Sequence, residues 1–68
     1  MLYVANAIAV TDTDVNVDYN IYIGNSLDAA KNAASKEFDQ NPNAHSVRMI
    51  EWDAVSKKNN WVEIIYRA

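Results

Sequence analysis

Apolar residues recur at every second position over residues 2–10, with Leu2, Val4, Ile8 and Val10 on one parity and Asn6 interrupting them. The other parity is Tyr3, Ala5, Ala7 and Ala9, small but not polar. A repeat of two rather than 3.6 predicts a β-strand. Thr11 to Asp14 reads as a polar turn. The clearest strand signal follows it. Val15, Val17, Tyr19, Ile21 and Ile23 point one way, and Asn16, Asp18, Asn20 and Tyr22 the other. Together the two strands predict a hairpin.

Gly24-Asn25 breaks the second strand, and Ser26 is a favourable helix N-cap because its hydroxyl can accept from a free N–H of the first turn. From Leu27 the period becomes helical. Leu27, Ala30, Ala34 and Phe38 form one narrow stripe, mostly of Ala, so the helix can lie close to a sheet. Asn41-Pro42-Asn43 ends it. A third strand is expected from about His45 to Trp52, with Val47 and Met49 competing with Ile50 and Trp52 for the buried side. Lys57-Lys58-Asn59-Asn60 reads as a turn. A fourth strand runs from Trp61 to Tyr66, with Val62, Ile64 and Tyr66 alternating against Trp61, Glu63 and Ile65.

The order ββαββ predicts an α+β fold, a four-stranded antiparallel sheet with one helix packed on one face. One helix covers one face only, so the other is expected to expose some of Tyr3, Tyr22, Trp61 and Ile65. An exposed apolar face on a small domain points to a macromolecular partner or to a homodimer.

Composition narrows the function classes. The 68 residues make a single domain, half of them apolar, with no Cys for a disulfide or a thiolate metal site. Stability at this size rests on packing, with about 3–5 kcal/mol expected. No run of 18 apolar residues offers a membrane span. The first residues lack a basic region and a cleavage signature, so the chain is expected to begin at Met1 without a signal peptide and to be cytoplasmic. A net charge of −3 argues against a general nucleic-acid binder, which carries a basic face.

The residues of an active site are not found. His45 is the single His, and its neighbour Ser46 should point to the opposite face of a strand. Gly24 is the single Gly, so there is no phosphate-cradling loop. Asp12, Asp14, Asn16 and Asp18 alternate like the start of a calcium loop. Val17 stands where that loop needs its Gly, and Ile23 where it needs its Glu. The expectation is therefore a non-enzymatic protein with no cofactor and no metal. Tyr3, Tyr22 and Trp61 are also the rings of a possible single-stranded RNA platform, but Asp18 and Glu63 on the same expected face would repel phosphates. Two lysines mark the helix. Lys31 borders the buried stripe and can lay its stem along it, while Lys36 faces solvent in the row with Asp28 and Asn32.

The helix segment Ser26-Leu27-Asp28-Ala29-Ala30-Lys31-Asn32-Ala33-Ala34-Ser35-Lys36-Glu37 resembles that of very short phage anti-CRISPR proteins that inhibit type I-F RNA-guided surveillance complexes. Val47-Arg48-Met49-Ile50 and Trp61-Val62-Glu63 are similar in placement, so the resemblance spans about half of the chain. It implies a small inhibitor of a protein or ribonucleoprotein complex in the host bacterial cytoplasm that blocks access of target DNA. Lys31, Lys36 and Asn32 would lie in the contact, although a basic residue would be expected at Asn32 and a polar one at Phe38. Tyr22 and Trp61, as sheet aromatics, complete the candidate partner-binding residues. Self-association through the open sheet face is the alternative.

Overall fold

A computed structural model describes residues 2–67. Its elements are β1 (Leu2–Val10), β2 (Asn16–Gly24), α1 (Leu27–Gln40), β3 (Ala44–Asp53) and β4 (Lys58–Tyr66). The strands form one antiparallel sheet in the order β2-β1-β3-β4, and α1 packs on one side of it. The ββαββ, α+β architecture is the one the periodicity predicts.

Local chemistry sets the limits of α1. The Ser26 hydroxyl accepts from the Ala29 N–H at 3.1 Å, which satisfies one of the free donors of the first turn. At the other end the Asn41 N–H reaches the Glu37 carbonyl at 2.8 Å. The last turn carries no basic residue of its own. Arg67, just past β4, supplies the cation from across the fold. Its guanidinium donates to the carbonyls of Phe38 at 2.7 Å, Asn41 at 2.6 Å and Ala44 at 2.8 Å, and lies 5.2 Å from the Phe38 ring centre. A positive charge on these carbonyls complements the negative end of the helix.

The last hairpin turns earlier than its Lys-Lys-Asn-Asn sequence suggests. Asp53 Oδ1 accepts from the Val55 N–H at 3.0 Å, and Lys57 takes the left-handed backbone at φ 57°. The turn therefore occupies residues 54–57, and Lys58, Asn59 and Asn60 belong to β4.

The helix lies on the small-residue side of β1. Ala5 and Ala7 are fully buried against Ala30 and Ala34, with Val47 and Met49 completing the core. Side chains that end at Cβ let two backbones approach closely, so Ala on the helix is matched by Ala on the strand. Leu2, Val4, Ile8 and Val10 consequently lie on the face that α1 does not cover. In β3 the competition is settled for Val47 and Met49, leaving Ile50 and Trp52 on the uncovered side.

Two β-bulges then reverse the parity within the edge strands. Between the pairs Ala5–Tyr22 and Asn6–Asn20, Ile21 has no partner, so Ile21 and Tyr22 both pack toward the core and Ile23 turns outward. Between Met49–Glu63 and Ile50–Trp61, Val62 is the extra residue. Val62, Glu63 and Ile65 take the helix side, while Trp61, Ile64 and Tyr66 take the other. The expectation that some of Tyr3, Tyr22, Trp61 and Ile65 are exposed on the open face holds for one of them: Tyr3 shares the parity of Ala5 and Ala7, and the bulges turn Tyr22 and Ile65 to the helix side. Of the four residues named, Trp61 alone lies there.

Candidate functional site

The uncovered sheet face is built from alternate residues of all four strands. β1 contributes Leu2, Val4, Asn6, Ile8 and Val10. β3 contributes Ser46, Arg48, Ile50 and Trp52. At the edges stand Asp18, Asn20 and Ile23 of β2, and Asn59, Trp61, Ile64 and Tyr66 of β4. Ile23 is 63% exposed, Trp61 63% and Tyr66 69%, and Leu2 and Ile64 are exposed as well. Unlike scattered surface apolar residues, these share one face, joined through the half-buried Val4, Ile8 and Ile50.

Polar groups on this face are tied to one another. Arg48 pairs with Asp18 across β1, and its guanidinium lies 5.9 Å from the centre of the Trp61 ring. The Asn20 amide reaches the carbonyls of Ala5 at 3.3 Å and Tyr22 at 3.2 Å, and Asn6 Oδ1 at 3.1 Å. It thereby occupies carbonyls on both sides of the bulge at Ile21. Asn6, Arg48, Ile50, Asn59 and Trp61 line a shallow depression of about 250 Å³. Its wall combines a guanidinium, two amides and an indole ring, a surface suited to a partner side chain.

The five residues singled out from sequence do not converge. Trp61 lies on the uncovered face. Tyr22 lies on the helix side instead. Its hydroxyl accepts from the Ser26 N–H at 3.2 Å, and its ring lies over Gly24, where a Cβ would come within 2.7 Å of the ring carbon Cζ. Lys31, Asn32 and Lys36 are exposed on α1, on the opposite side of the molecule. Lys31 leans over the sheet edge and meets Glu63 at 3.3 Å, so it is no unpaired cation. Glu63 therefore belongs to the helix side rather than beside Trp61. The residues that sequence reasoning passed over are Leu2, Ile23, Arg48, Ile64 and Tyr66. The signal available for Leu2 was the Ala of α1, which packs closest on the Ala parity of β1 and turns the bulkier parity outward.

His45 and Ser46 do meet, contrary to the strand-neighbour expectation. The register between β1 and β3 slips at His45, which has no β1 partner. The Ser46 hydroxyl lies 3.2 Å from His45 Nδ1, and Asn16 Oδ1 lies 3.3 Å from His45 Nε2. Ser46 is 3% exposed. Residues 12–14 lie in the turn before β2, and the β2 ladder runs on through Asn16, Val17 and Asp18. Among the described residues no group of three His, Cys, Asp or Glu could hold a metal ion, and no helix is long and apolar enough to cross a membrane.

Among the described residues, two groups titrate away from their ordinary values. Burial raises the Tyr19 phenol, and its hydrogen bond to Glu37 adds to the rise. The Val55 backbone N–H holds the Asp53 carboxyl below the usual carboxylate range, with Ser56 contributing.

Comparison with protein-family models, with curated proteins and with solved structures finds no match for this chain.

Proposed function

We propose that this protein is a non-enzymatic binding module that works through its uncovered sheet face. The observation that carries this reading is the set of large apolar side chains left exposed together on one sheet face. The helix side buries Ala5, Ala7, Ala30, Ala34, Val47 and Met49, while Leu2, Ile23, Trp61, Ile64 and Tyr66 stand on the side nothing covers. Burial of such a face against another protein is favourable at roughly 25 cal/mol per Å² before the costs of association. A phosphate backbone is a poor occupant, because the one guanidinium on this face is held by Asp18. Affinity capture from a cell lysate tests it. A partner held by the wild type should be lost with Trp61→Asp plus Ile64→Asp at unchanged circular dichroism, and retention by that variant refutes the reading.

A second reading uses the other side. Lys31, Asn32 and Lys36 are all exposed on α1, which is the helix surface that the resemblance to anti-CRISPR proteins assigns to contact with a surveillance complex. Such a contact would block target DNA sterically and electrostatically, with each charge-assisted hydrogen bond contributing about 1.5–3 kcal/mol. Target-DNA binding by a purified type I-F complex, with and without the protein, tests it. Inhibition should be lost with Lys31→Glu plus Lys36→Glu and kept with Trp61→Asp.

A further inference from the structure

We infer that the occupant of the uncovered sheet face is a second copy of this chain, packed sheet to sheet with the two helices outermost. The inference rests on the reading of that face as the binding surface and adds the identity of what sits on it.

Charge is the first argument. The chain carries a net charge of −3, yet the strand registers place only Asp18 and Arg48, of its ionised side chains, on this face, and these two pair with each other. Two copies can therefore meet with no unpaired ion to desolvate and no like charges opposed across the contact. A strongly acidic or basic partner finds no complement here.

Size is the second. Four strands of about nine residues, spaced about 4.8 Å apart with a rise near 3.3 Å, give a flat area of roughly 570 Å². Two such faces in full overlap bury roughly 1,100 Å², above the ~1,000 Å² expected of a specific interface.

The third argument is the shape of the edges. Both edge strands carry a bulge, at Ile21 and at Val62. Bulges bend an edge and disfavour addition of a further strand. Face-to-face packing at the ~10 Å spacing of stacked sheets is the geometry left to a self-complementary contact.

Sedimentation velocity on the full chain from about 1 μM to about 1 mM tests the proposal. The expected result is a monomer–dimer equilibrium, weakened at least ~10-fold by Trp61→Asp and by Ile23→Asp, which lie on opposite edges of the face. Asn32→Gln, charge-neutral on the exposed helix surface, should leave it unchanged. Both Trp61 and Ile23 are 63% exposed in the single chain, and circular dichroism checks that each variant folds. A wild type that stays monomeric throughout overturns the second copy, as does a dimer indifferent to both Asp variants. Failure of the docking face itself reads differently: lysate capture would then survive Trp61→Asp plus Ile64→Asp.

Discussion

The Tyr19 hydroxyl donates to Glu37 Oε1 at 2.6 Å and accepts from Asn41 Nδ2 at 2.8 Å, so one phenol on β2 holds the C-terminal turn of α1. Tyr19→Phe keeps the ring and removes both bonds. Thermal unfolding should show a loss of about 1–3 kcal/mol, since one of the two bonds has a charged acceptor.

The same phenol has a signature at high pH. Its folded value is raised, first by burial and then by Glu37. The stability tied to it is therefore complete below the unfolded Tyr value of about 10 and disappears as pH rises through the higher folded value. Absorbance titration of the four tyrosines should show a late component that is missing from Tyr19→Phe.

Asp53 gives the opposite sign. Its folded value is depressed, so its contribution is present above about pH 3.9 and is lost as pH falls through the lower folded value. Amide exchange at Val55, corrected for its intrinsic rate, should lose protection in that acid range. Asp53→Ala should abolish that protection already at neutral pH.

Arg67 closes the end of α1 from outside it. Arg67→Ala leaves carbonyls of Phe38, Asn41 and Ala44 without this donor and removes the cover over the Phe38 ring. A loss of about 2 kcal/mol in urea unfolding is expected. Faster amide exchange should be confined to the last turn of α1 and the start of β3. Lys substituted at the same position should restore part of the charge effect but not the fork of bonds.

Close packing of Ala against Ala makes the helix–sheet spacing sensitive to added volume. Ala7→Leu forces α1 away from the sheet and should cost roughly 1–3 kcal/mol. Met49→Ala, which empties a fully buried position, should cost roughly 2–5 kcal/mol. Urea midpoints of the two variants check both figures.

Much of the fold was legible because its signals are local. Ser26, Gly24 and Pro42 mark ends of elements by their own backbone chemistry, and the change of period at Leu27 needs no tertiary information. The faces were harder to read, since a bulge adds a residue without any mark in the sequence. Ile21 and Val62 look like ordinary strand residues, yet each moves everything beyond it to the other side of the sheet. Trp61 was identified because it lies before the slip, whereas Tyr22 was misplaced because it lies next to one. Arg48 gained a role only when the register set it between Asp18 and Trp61. The lysines of α1 were legible as exposed, but the ion pair of Lys31 depends on the bulge that turns Glu63 toward it.

Crowding the charged groups onto the helix side, the turns and the ends makes the molecule respond to ionic strength in two ways at once. Added electrolyte screens the mutual repulsion of the acidic bodies beyond about 8 Å at physiological levels, while leaving burial of apolar surface as favourable as before. If two copies pack through this face as proposed, their contact should tighten as salt rises, the reverse of what a phosphate-binding protein does.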